Sequence, residues 1–210
     1  MAQIKVFYVP GTRATRALWL MEELVERGPV DWEAVRLDVK GGENKRAPYL
    51  AIHPLGQVPA ILDGETPVFE SVAICLYLAD RFLDRGLAPT FGSPLRAPYY
   101  QWAAFNPATL EPAIGEYARH TAQLPEAERV PALAEKAKGK CQEAARALEA
   151  VLAGKEYLVG DRFTAADILT AGNLNWARRV GLLEGHPALG EYATRLLARP
   201  AAVRAYKLGV

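Results

Sequence analysis

The chain has 210 residues, half of them hydrophobic and 23% charged, and its 25 basic and 24 acidic side chains leave a formal net charge of +1. That length suits one large domain or two small ones sharing an interface, and the composition is that of an ordinary globular protein. The balanced charge excludes the electrostatic footprint of a nucleic-acid or membrane-surface partner. No apolar run approaches the ~18 residues of a membrane-spanning helix.

The first residues, Met1-Ala2-Gln3-Ile4-Lys5-Val6, carry no apolar signal-peptide core. A cytoplasmic protein is the expectation. Cys75 and Cys141 fall on predicted helices in different halves, which suits packing thiols and not a disulfide. The three histidines, His53, His120 and His186, are scattered, and no Cys/His cluster has metal-ligand spacing. No metal is expected.

Ile4–Tyr8 is short, apolar and bounded by Pro10-Gly11, as a buried strand would be. Ala17, Leu20, Met21 and Leu24 then recur at helical spacing, with Glu22, Glu23 and Glu26 on the same helix. Glu33–Leu37 reads as a second strand, so the start of the chain is a right-handed parallel βαβ unit. Residues 38–58 are irregular. Pro59–Leu62 and Pro67–Phe69 flank Asp63-Gly64-Glu65-Thr66 as a hairpin, and Ser71–Phe82 is a helix.

The segment around 86–98 is rich in Gly and Pro and reads as a linker. Helices follow at about 97–119, 126–153, 165–180 and 188–197, with a short turn near 200–206. Pro107 and Pro112 should interrupt the first of these. Thr164-Ala165-Ala166-Asp167 has the form of a capping box and is assigned to structure. The expected architecture is α/β plus all-α: residues 1–85 as a thioredoxin-like domain, 86–95 as a linker and 96–210 as an all-helical domain.

Three short stretches carry the chemistry. Thr12 and Arg13 stand where strand one turns into helix one, and a Thr there can cap the helix while its hydroxyl still donates to an anion. Pro59 removes a backbone donor and biases Val58 towards an extended backbone, whose free N–H and C=O groups suit pairing with an extended peptide. Glu70-Ser71 opens a helix, whose N-terminus suits a carboxylate.

Tyr8-Val9-Pro10-Gly11-Thr12-Arg13, His53-Pro54-Leu55-Gly56-Gln57-Val58-Pro59, Glu70-Ser71 and Gly160-Asp161-Arg162-Phe163-Thr164-Ala165-Ala166-Asp167 together resemble the glutathione transferase family. The likeness runs from about Ile4 to about Tyr206, and the turn is of the bacterial, theta/beta-like kind. It implies a cytoplasmic, homodimeric detoxification enzyme. Such an enzyme takes glutathione as co-substrate and stabilises its thiolate for attack on a small hydrophobic electrophile.

By that resemblance, the glutathione contacts are Arg13, Gln57, Val58, Pro59, Glu70 and Ser71, with the Val58-Pro59 bond cis. Glu70 takes the ligand ammonium and Ser71 its γ-glutamyl carboxylate. Relatives often carry Lys where Gln57 stands, which leaves Lys45 or Arg13 to supply that charge. His53 is read as a structural loop residue. Two hydroxyls compete to hold the thiolate, Thr12 and Tyr8, and Thr12 is favoured.

The absence of a cysteine in Pro10–Arg16 argues against thiol–disulfide exchange. Phe105, Thr109, Pro112 and Tyr117 are the candidates for the electrophile pocket, with Trp176 as a further one. Core or subunit contact is the competing role for each. A glutathione-dependent peroxidase or isomerase, or a non-catalytic ligand-binding protein, stands as the alternative function.

Overall fold

A computed structural model describes residues 4–208. It divides into two compact units, one running to Phe91 and resuming at Ala198, the other spanning Gly92–Leu197.

The first unit opens with β1 (Ile4–Tyr8), α1 (Ala14–Glu26) and β2 (Trp32–Arg36), and β1 and β2 pair in parallel as the βαβ reading requires. A 3₁₀ turn (Glu43–Lys45) and the single-turn α2 (Ala47–Leu50) lead to β3 (Ala60–Asp63), β4 (Thr66–Phe69) and α3 (Ser71–Arg81). The strand order is β2-β1-β3-β4, with β3 antiparallel to both neighbours. Gly64 has φ 60 and is the first of two loop residues between the paired Asp63 and Thr66, so the β3–β4 hairpin turns where a side chain would be strained.

Side chains alternate across the sheet. Phe7 and Ala60 face one side, packed with Leu37 and Tyr49. Ile4, Val6 and Ile61 face the other, where the helices α1 and α3 bury Leu20, Leu24, Ile74 and Leu78 completely. Asp63 at the end of β3 accepts a 2.7 Å bond from the Tyr77 hydroxyl and pairs with Arg81, which fixes the far part of α3 to the sheet.

The second unit is helical throughout: α4 (Arg96–Phe105), α5 (Glu111–Ala118), α6 (Pro131–Leu152), α7 (Ala165–Arg179) and α8 (Pro187–Leu197). The helix expected over 97–119 is broken by a wide π turn at Asn106–Leu110. Pro107 lacks the N–H that an α turn needs there. The Asn106 amide donates to the Trp102 carbonyl at 2.8 Å and to Thr170 Oγ1 at 3.0 Å, and accepts from Asn173 at 2.9 Å.

α7 is buried on nearly every side, and its capping box forms as read. Asp167 receives the Leu158 N–H at 2.9 Å, the Thr164 N–H at 2.8 Å, the Thr164 hydroxyl at 3.1 Å and the Tyr192 hydroxyl at 2.7 Å.

The chain then returns to the first unit. Pro200–Leu208, expected as a short turn, is a nine-residue helix, α9, packed on α1. The cause is electrostatic and aromatic, and it links positions far apart in sequence. Arg199 meets Glu23 at 2.5 and 2.8 Å, Arg204 meets Glu22 at 2.5 Å and Glu26 at 2.9 Å, and the Tyr206 ring stands edge-on to Trp19.

Candidate functional site

The sheet brings the three chemical stretches together. β1 and β4 both run antiparallel to β3, so they share a direction, and α1 and α3 start beyond their common ends. Phe7 pairs with Ala60, and Ala60 with Phe69. The Thr12 turn, the Val58-Pro59 peptide and Glu70-Ser71 therefore all lie at one end of the sheet, beyond the C-terminal ends of β1 and β4.

Thr12 is half-buried in the turn, beside exposed Arg13. Its hydroxyl accepts the Ala14 N–H at 3.3 Å and donates to the Val9 carbonyl at 2.7 Å, while the N-cap position of α1 falls on Arg13 and carries no side-chain cap. Tyr8, the competing hydroxyl, is 8% exposed and belongs to the face of β1 covered by the helices.

The Val58-Pro59 bond is cis. Gln57 is exposed, Val58 half-buried and Pro59 buried. No backbone hydrogen bond joins Val58 to another of the described residues, and its side chain packs on the Phe7–Tyr49 cluster.

The preceding loop is braced at four points. Asn44 donates to the Gly56 carbonyl at 2.7 Å, Lys45 to Leu55 at 2.9 Å and the Tyr49 hydroxyl to Gln57 at 2.6 Å, while His53 Nδ1 accepts the Leu55 N–H at 3.3 Å. Burial holds His53 below its ordinary pKa against the opposing charge of Glu70, which suits the neutral ring that accepts this bond. Its ring lies 4.7 Å from that of Phe69. His53 is a loop-bracing residue, as its sequence position suggests.

Glu70 is exposed, and among the described residues it is the one non-glycine with positive φ, at 72°. Such a backbone costs about 1–3 kcal/mol. Ser71, the first residue of α3, is buried, and the guanidinium of buried Arg16 reaches to 3.5 Å from its hydroxyl. Asn44, Tyr49 and Arg16 carry no role in the sequence reading. Their partners lie 12, 8 and 55 residues away, outside any local pattern.

In the second unit, Phe105, Thr109 and Pro112 line one groove of about 740 Å³, whose opposite wall is α6 with Leu133, Lys136 and Ala137. Tyr117 is half-buried and lies outside that groove. Among the described residues, no group of three or more His, Cys, Asp or Glu side chains could hold a metal, and no helix is long and apolar enough to cross a membrane.

Two family models match the chain: the N-terminal domain of glutathione S-transferases over residues 2–80 and their C-terminal domain over residues 105–200. The chain belongs to the glutathione S-transferase family. Glutathione transferase activity goes with that membership. Over 96% of both chains it is 29% identical to the glutathione S-transferase PARB of Nicotiana tabacum. It is 32% identical to the glutathione S-transferase GST-4.5 of Xanthomonas campestris, over 73% of this chain and 76% of that one. A sphingomonad glutathione S-transferase solved in complex with glutathione superposes with a TM-score of 0.83 at 29% identity, covering 98% of each chain. This transferase therefore has relatives in both plants and bacteria.

Proposed function

We propose that this transferase binds glutathione at that end of the four-stranded sheet and ionises its thiol there. The convergence of Thr12, Val58 and Ser71 at that end, through the Phe7–Ala60–Phe69 row, carries the reading. The Val58 main chain pairs with the cysteinyl residue as a short strand addition. Glu70 takes the γ-glutamyl ammonium, and Ser71 takes its carboxylate at the start of α3. Gln57, Arg13 and Lys45 serve the glycine end. Lys45 spends one of three donors on Leu55, which leaves two.

Lowering a thiol pKa from ~8.5 by about 2 units takes ~2.7 kcal/mol. A hydroxyl bond to a charged group contributes about 1.5–3 kcal/mol, and a neutral one about 0.5–1.5. Turning the Thr12 hydroxyl from the Val9 carbonyl to sulfur exchanges the second for the first, a gain of about 1–2 kcal/mol. The N-terminus of α1 adds about 1 kcal/mol. Together these approach what is required.

The thiol proton leaves to solvent and the thiolate attacks a small hydrophobic electrophile. A carbon–sulfur bond forms, and either a leaving group departs with its electron pair or the π pair of an activated double bond moves to the neighbouring carbon and takes a proton from solvent. The groove at Phe105, Thr109 and Pro112 is the proposed seat of that electrophile. The enzyme is read as a cytoplasmic, homodimeric detoxification transferase of the bacterial, theta/beta-like kind. Its thioredoxin-like domain at 1–85 holds glutathione, a linker spans 86–95, and α4 to α8 after it serve the electrophile and the subunit contact, while α9 packs back on α1.

A pH titration of the thiolate absorbance of bound glutathione tests the reading. Ionisation well below the free thiol supports it, and binding with no thiolate at neutral pH overturns it.

A further inference from the structure

Arg16 lies on α1, 5% exposed, with Nη1 at 3.5 Å from Ser71 Oγ. Ser71 is itself buried, at 7% exposure, and opens α3 directly after the positive-φ Glu70. A guanidinium only donates, so in this contact the serine oxygen accepts. The serine proton is thereby directed away from Arg16 and left for another acceptor. Ser71 also stands at the positive end of the α3 dipole. A cation behind the hydroxyl and a helix N-terminus beside it both raise the hydroxyl's strength as a donor to an anionic oxygen.

The same guanidinium acts on a second group of α3. The Cys75 thiol, one turn after Ser71, is pushed up to about 12 by burial, and the Arg16 charge works against that rise. The charge of Arg16 is thus felt across the first turn of α3, and Cys75 stays a neutral packing thiol.

We infer that Arg16 is a positioning residue for the γ-glutamyl carboxylate of glutathione. It acts through Ser71 by fixing the direction of that hydroxyl and adding positive charge behind it. This rests on the glutathione reading above. It assigns to a buried side chain of α1 a part of the affinity that would otherwise be credited to Ser71 and the helix end alone.

The test is titration calorimetry of wild type, Arg16→Gln, Arg16→Lys, Ser71→Ala and the Arg16→Gln/Ser71→Ala double variant. Two ligands are compared: glutathione, and 4-aminobutyryl-cysteinyl-glycine, which lacks only the γ-glutamyl carboxylate. Arg16→Gln is expected to weaken glutathione binding about tenfold, the scale of one charge-assisted hydrogen bond. The analogue should bind wild type and Arg16→Gln alike, and the Arg16→Gln change should cost nothing further once Ser71 is Ala.

An equal loss for both ligands, or a lowered melting temperature with unchanged affinity, makes Arg16 merely structural and overturns the inference. Should Arg16→Gln not fold, Arg16→Lys decides. A loss smaller than tenfold and confined to glutathione upholds positioning through the charge, and no loss or an equal loss for both ligands overturns it. Failure of wild type to bind either peptide would instead remove the glutathione reading, and the inference with it.

Discussion

The hydroxyl of Thr12 donates to the carbonyl of Val9 at 2.7 Å, three residues back and inside the same turn. A carbonyl cannot donate, so the proton belongs to Thr12. It must be released from Val9 before it can serve a sulfur anion.

Thr12→Ala is therefore expected to raise the pKa of bound glutathione by about 1 unit and to cut turnover with chlorodinitrobenzene at neutral pH several-fold. Thr12→Ser should keep both, and Tyr8→Phe should leave them unmoved. Thiolate absorbance across pH measures it. A pKa that rises only in Tyr8→Phe would transfer the role to the strand-one tyrosine.

The loop before Val58 supports a prediction about binding without chemistry. Burial pushes the Tyr49 phenol well above its ordinary pKa, so it stays protonated and keeps donating to Gln57. Tyr49→Phe removes a bond worth about 1 kcal/mol and should raise KM for glutathione about fivefold, with kcat little changed. Steady-state kinetics with glutathione varied would show it, and an unchanged KM would separate this bond from ligand positioning.

Glu23 gives a pH dependence. Burial raises its carboxyl, but hydrogen bonds from Arg199 and Arg27 and the Arg199 charge outweigh burial and hold it below the ordinary value of 4.5. A depressed folded-state pKa contributes stability that is full above the unfolded value and is lost as pH falls through the folded one. Wild type should lose melting temperature steeply below about pH 4.5. Glu23→Gln, some 3 kcal/mol less stable at neutral pH, should show a shallower acid limb. Parallel acid limbs would mean that the loss arises at other carboxylates.

In the second unit, Asp167→Ala would strand the Leu158 N–H, the Thr164 N–H and the Tyr192 hydroxyl in a buried place. A loss of about 3–5 kcal/mol is expected in urea unfolding, with KM for glutathione unchanged in the protein that folds. A loss under about 1 kcal/mol would show that water replaces the carboxylate.

Filling the groove separates the two roles proposed for it. Thr109 is exposed on its wall, and Thr109→Trp should raise KM for the electrophile about tenfold while leaving KM for glutathione and the sedimentation coefficient alone. A smaller sedimentation coefficient with an unmoved electrophile KM would make the groove a subunit contact.

Much of this was legible in the residues themselves. The strands, the hairpin glycine and the Thr164–Asp167 box announce themselves because their determinants are local: alternation, a turn residue, a cap three positions from its partner. Thr12, Val58 and Ser71 were readable as motifs, although only the strand register brings them to one end of the sheet. Arg16, Asn44 and Tyr49 were not readable, since each acts on an atom that the chain delivers from elsewhere. Tyr117 falls outside the groove of Phe105, Thr109 and Pro112 because α5 turns Pro112, Ala113 and Glu116 to it, and Tyr117 stands about 100° round that helix from Glu116. α9 read as a turn because its helix is held by acids 176 to 182 residues earlier.

That last distance orders events at the ribosome. Glu23 is made early and Arg199 is made late, with all of Gly92–Leu197 synthesised between them. Until the tail emerges, Glu23 keeps Trp19 and Arg27 beside it but lacks Arg199, and Glu22 and Glu26 lack Arg204. The half of the protein that is translated first is thus the half that is finished last.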